Sequence, residues 1–184
     1  MANFGYETIG ADWLQLNHLT GLAGSWYALT EPGTINSITA YIGTDNVADD
    51  TLHYSFALYD SSYNRLAQTA EELHNYARGY GWRTLNLVTP YAAAAGNYWL
   101  VIWSEGTSAY GKRFGLEANK GFRQTGLTYN SWPNPFTPTL DASETSIYAT
   151  YTTGGGAIGP AGAIASAEDV DGAAMMRGTI QSEV

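Results

Sequence analysis

The residues of this chain that can do chemistry fall into three sets: aromatic rings, a knot of hard oxygen ligands, and a few histidines and carboxylates. Trp82, Trp103, Tyr110, Tyr129 and Trp132 lie in or near expected loops and sheet edges. A ring in such a place can stack on a sugar or a protein face, because it joins a large apolar area to a polar edge. Trp132 opens the run Trp132, Pro133, Asn134, Pro135, Phe136, Thr137, Pro138, and the stiff, proline-flanked loop is expected to hold it outward. Trp132, Tyr129 and Trp103 form the expected ligand-binding set. Asp45, Asn46, Asp49 and Asp50 gather oxygen ligands of the kind calcium takes, though not at EF-hand spacing. A polar turn without metal uses the same residues, so Asp45, Asp49 and Asp50 are a calcium candidate set and no metal or cofactor is otherwise expected.

Catalytic patterns are missing. Glu71 with Glu72, and Glu105 with Glu117, supply carboxylates, but nothing in their spacing singles out an acid–base pair over solvated surface groups. His18, His53 and His74 are far apart and lack metal-ligand spacing. There is no Gly-x-Ser-x-Gly elbow and no Walker-type loop; Gly154-Gly155-Gly156 reads as a hinge. With no cysteine, thiolate chemistry and disulfides are excluded. The expectation is a protein that is not an enzyme.

Charge narrows the partners. Eight Lys and Arg against 17 Asp and Glu give a formal charge of −9, which repels phosphate backbones, so nucleic acid is not expected. No stretch approaches the ~18 apolar residues of a membrane span. Charged residues make up only 14% against about 25% in an average soluble protein, leaving a sparsely charged, hydroxyl-rich, aromatic surface.

The elements that must position these residues read as strands. Apolar residues alternate with polar ones at Leu52, Tyr54, Phe56 and Leu58, a period of two that turns one face inward, and no window sustains a 3.6-residue period. Residues 25–29 and 34–42 read as a hairpin through Glu31-Pro32-Gly33. Residues 81–87 and 97–103 read as strands around a loop at 89–96. The second of these is apolar on both faces, so it belongs in the middle of a packed sheet or has one face covered by another element or subunit. Residues 71–76 have the makings of a helical turn. Later strands are expected around 114–117, 123–125 and 146–151, with the proline-rich segment as a surface loop. The expected class is all-β, a jelly-roll-like two-sheet β-sandwich, with an immunoglobulin-like sandwich as the nearest competitor.

Every Phe, Trp and Tyr lies at or before Tyr151. A Gly- and Ala-rich segment without aromatics cannot offset its own ordering entropy. The chain therefore divides into a β-sandwich module at 1–151 and, at 152–184, an extended arm made of a tether and a docking segment. In that arm Ser166 can cap a short helix, with Glu168 and Asp169 near its start. Val170, Met175, Met176 and Ile180 are expected to dock on a neighbouring subunit or scaffold protein.

Phe4-Gly5 with Thr8-Ile9-Gly10, the run from Ala28 to Ile35 with Ser37-Ile38 and Ala40-Tyr41-Ile42, the run from Ala95 to Ile102, the Trp132 to Phe136 loop and the closing Ser146 to Tyr151 occur in a characteristic order. That order resembles the jelly-roll β-sandwich modules of multidomain secreted and surface proteins and of phage structural proteins, over nearly all of residues 4–151. The resemblance implies a non-catalytic display or binding module: a virion structural protein, as a capsid decoration or a tail or fibre component, at the virion surface, whose partners are other virion proteins or copies of itself, with a host-surface glycan as a further ligand. The alternative is a carbohydrate-binding module of a secreted or cell-surface protein.

Overall fold

Alternation governs what the chain becomes. In the computed structural model, which describes residues 1–16, 21–115 and 118–154, the strands are β1 (Ala2–Gly5), β2 (Asp12–Gln15), β3 (Leu22–Leu29), β4 (Gly33–Thr44), β5 (His53–Tyr59), β6 (Arg65–Gln68), β7 (Glu72–Leu73), β8 (Gly81–Ala93), β9 (Gly96–Ser104), β10 (Ala109–Gly115), β11 (Gly121–Gln124), β12 (Thr139–Asp141), β13 (Ser143–Thr145) and β14 (Ile147–Thr153). Two short 3-10 turns, Val47–Thr51 and Tyr76–Arg78, complete the described elements. At 71–76, where the sequence suggests a helical turn, β7 and the start of the second 3-10 turn stand instead. No helix among the described residues is long and apolar enough to cross a membrane.

The strands form two antiparallel sheets packed as a sandwich of jelly-roll type. In the first, β1, β14 and β4 are successive neighbours, β8 takes the other edge of β4, and β10 pairs with the far end of β4 and with β2 and β13. The second runs β12, β11, β3, β9, β5, β6, with β7 also on β5. Between them lie Ile35, Ile38, Ala40 and Ile42 of β4, Tyr54, Phe56 and Leu58 of β5, Leu100 and Ile102 of β9, and Ile147 and Ala149 of β14. Each large side chain removed from water there contributes about 1.5–3 kcal/mol before entropy is counted.

Two expected connections differ. β3 and β4 are not a hairpin: β3 pairs with β9 and β11, whereas β4 lies in the opposite sheet. Glu31-Pro32-Gly33 reverses the chain, but turn chemistry does not dictate which sheet the next strand enters. β8 likewise continues as strand to Ala93, and its turn into β9 is shorter than the expected loop at 89–96.

The side of β3 is fastened by a buried serine. Ser25 Oγ accepts from Thr145 N at 2.8 Å and lies 3.0 Å from the Ser143 carbonyl it donates to, tying β13 to β3. The other side is closed by a bridge between Thr69 and Leu87.

β1 and β14 set the ends of this body side by side. Ala2 pairs with Tyr151 and Thr153 pairs with Gly33, so the chain's first strand starts and its last described strand stops at one end of the sandwich. Gly43 and Thr44 lie at the opposite end of β4, on the order of 30 Å away by strand rise. The final strand runs two residues past the expected boundary at Tyr151.

Candidate functional site

The expected ligand-binding set does not form an outward platform. Trp132 is only 7% exposed and Trp103 is fully buried, while Tyr129 is half-buried. The outer face of β9, made by Trp99, Val101 and Trp103, forms a second core with Leu22, Tyr59, Phe122, Trp132 and Phe136. Segment 125–138 folds back over the second sheet and supplies the last two of these. Trp132 meets Trp103 edge-on at 4.9 Å between ring centroids, and Phe136 stacks on Phe122 at 4.4 Å. Polar ties hold the strap down: Tyr59 donates to the Pro133 carbonyl at 2.9 Å, and Arg65 N donates to Asn134 Oδ1 at 2.9 Å. Proline restricts the backbone of the loop but does not set its direction, and an indole gains more by covering an apolar sheet face than by facing water. The two-sided apolarity of β9 is thus met twice over, by a central position in its sheet and by the strap.

The calcium candidates are not brought together. Asp49 is fully buried and accepts from Thr44 Oγ1 at 2.6 Å, Thr107 N at 3.0 Å and Ser108 N at 3.0 Å. Burial alone would raise its carboxyl, but these bonds together hold it below the ordinary carboxylate value. Asp50 accepts from Tyr76 N, and Asp45 faces Tyr80. Among the described residues no group of three or more His, Asp or Glu side chains is placed to hold a metal ion.

His74 is buried with its Nε2 2.7 Å from Ser104 Oγ, which also accepts from Gly106 N. Burial holds this imidazole below its ordinary value, against the opposing pull of nearby Asp49, Asp50 and Glu105. The pair braces the loop after β9; Asp49's oxygens go to Thr44, Thr107 and Ser108. His53 bonds Glu105 at 3.0 Å and Glu72 pairs with Arg78 at 2.9 Å. His18, Glu117 and the docking residues Val170, Met175, Met176 and Ile180 lie outside the described residues.

A different set converges at the end of the sandwich away from the start of β1 and the end of β14. Trp13, Asp45, Tyr80 and Tyr110 line a surface cleft of about 270 Å³. On β10, Ala109 and Gly111 face inward, so Tyr110 and Lys112 face outward, opposite Gln15 and Trp13 of β2. Tyr110 also sits opposite Gly43 of β4, and Tyr80, just before β8, lays its ring on that glycine. Trp13 is 50% exposed, 4.7 Å from Tyr80 and 6.1 Å from Tyr110 between centroids. The Lys112 ammonium lies 3.7 Å from the centre of the Trp13 ring and donates to the Ala11 carbonyl at 3.3 Å. Burial, with the Asp45 carboxylate beside it, holds the Tyr80 phenol well above its ordinary value, so it remains a hydroxyl donor.

Of these residues the sequence singles out Tyr110 as a ring and Asp45 only as a calcium ligand. Trp13 sits in a four-residue strand with no periodic signal. Tyr80 does carry one: it stands between Gly79 and Gly81, and a glycine inside strand β4 marks a close approach. No family model matches the sequence, and comparison with curated proteins finds no match.

Proposed function

We propose that this chain is a non-catalytic structural protein of a virion surface, of the phage decoration, tail or fibre kind, which holds its sandwich outward and attaches through residues 152–184. The observation that carries this reading is the separation of the two ends of the body. The chain leaves β14 beside the start of β1, and the aromatic cleft sits at the other end of β4. A body attached through the residues after Thr153 presents the cleft away from its support. A second reading, a carbohydrate-binding module of a secreted or cell-surface protein, is favoured by the same cleft and differs in what lies at the base.

The chain has no cysteine, so single cysteines report on each end. Val47, 64% exposed at the cleft end, and Ala95, exposed at the base, are the positions to use. In assembled particles a maleimide should label Val47→Cys freely and Ala95→Cys poorly, while both label equally in the free protein. Equal labelling in the particle, or failure of the chain to associate with particles, overturns the reading.

A further inference from the structure

We infer that the cleft between Trp13, Tyr80 and Tyr110 binds a neutral oligosaccharide, which continues along the outer face of the first sheet over Tyr41, Trp82 and Tyr148. The inference deepens the display reading by naming what the displayed end takes up; its test uses free protein, so attachment and recognition fail separately.

The charges choose the ligand. Asp45 and Lys112 flank the rings with opposite sign, so an ion of either charge meets one like charge for each unlike one and gains no net attraction, and the ammonium seated on Trp13 already takes a cation's place over that ring. A neutral polyol meets no such penalty, and its hydroxyls find an acceptor in Asp45 and donors in Lys112 and the tyrosine phenols. Its C–H faces suit the rings, which give apolar area with fixed geometry. A methylammonium cage is ill matched on spacing as well, because Trp13 and Tyr80 touch at 4.7 Å and leave no room for a cation between them.

The rings do not stop at the cleft. Tyr41 lies two residues before Gly43 on the same face of β4, and it meets Trp82, its cross-strand partner on β8, edge-on at 5.6 Å. Trp82 in turn lies 5.4 Å from Tyr148 on β14. Thr84 is exposed on the same face, with its hydroxyl 2.8 Å from that of Thr39. At about 270 Å³ the cleft is just below the ~300 Å³ at which pockets begin to enclose drug-sized ligands, which fits one terminal ring of a longer chain. The row of aromatics provides for the rest.

The test is titration of the full-length protein with neutral oligosaccharides of one to six units, from glucan, mannan, galactan and N-acetylglucosamine series, read by tryptophan fluorescence and calorimetry. Binding is expected to strengthen with chain length. Trp13→Ala should weaken it about tenfold or more, and Asp45→Asn should weaken it with the fold unchanged. Trp82→Ala should weaken the longer chains while sparing the shortest. Thermal melting of each variant separates lost binding from lost structure. No binding in any series, binding indifferent to both Trp13→Ala and Asp45→Asn, or preferential binding of choline or an acidic glycan overturns the inference.

Discussion

Gly43 lies directly beneath the ring of Tyr80: a Cβ placed on Gly43 would fall 2.6 Å from Tyr80 Cδ1 and 2.8 Å from its Cα. The second of these contacts is with backbone, which cannot swing aside as a side chain can. Gly43→Ala is therefore expected to push the segment before β8 off β4, costing about 1–3 kcal/mol as overpacking does and opening the cleft. Urea denaturation reads the first effect, and altered quenching of Trp13 reads the second.

Trp132 behaves as core. Trp132→Ala is expected to lose about 3–5 kcal/mol in chemical denaturation, because it uncovers Trp103 and Tyr59 together. Trp13→Ala, at a half-exposed site, should stay within about 0.5–1 kcal/mol of the parent. Equal costs for the two would contradict the burial of Trp132 beneath the strap.

Ser25→Ala removes a hydroxyl that serves both the Thr145 amide and the Ser143 carbonyl in a dry place. Leaving a buried backbone group unmatched costs about 1–3 kcal/mol. Hydrogen exchange should quicken first at the Thr145 amide, and an unchanged rate there would show that the bond holds nothing.

Acid should act in two stages. The folded protein keeps His74 neutral below the ordinary value of 6.5, so between that pH and the lowered folded value the unfolded chain binds the extra proton and stability falls as pH drops. Asp49 is lowered from 3.8, so its contribution is present above that pH and is lost as pH falls through the folded value. Denaturation midpoints across the acid and neutral range should show both steps, and His74→Gln should remove the upper one.

Removing residues 155–184 should leave the melting temperature of the sandwich unchanged, since Tyr151 on β14 is the last core residue among the described residues and no Phe, Trp or Tyr follows it in the sequence. The shortened chain should no longer enter particles. Normal incorporation would show that attachment lies elsewhere.

The all-β class and the inner faces of β4, β5 and β9 are legible in the sequence because each is written as alternation over several residues. Tyr54, Phe56 and Leu58 lie inside as their spacing requires. The partner of each strand is not legible: the turn between β3 and β4 looks the same whether the chain pairs with itself or crosses to the other sheet. Trp132 misleads for a related reason, since prolines report stiffness and say nothing of direction. The cleft escapes because Trp13, Asp45, Tyr80 and Tyr110 come from four places in the chain and meet only through register, Trp13 opposite Lys112 and Tyr110 opposite Gly43.

The pairing of β14 between β1 and β4 has a mechanical consequence. Tension between a held base and a ligand gripped at the far end runs along the strands, so β14 must slide against β4 and break the hydrogen bonds from Ile147 to Thr153 nearly at once. Tension applied between the start of β1 and the end of β14 runs across the strands and peels β1 from β14 one pair at a time, starting at Ala2 and Tyr151. The strand pairing thus resists a pull along the strands in shear and yields to a pull across them by unzipping.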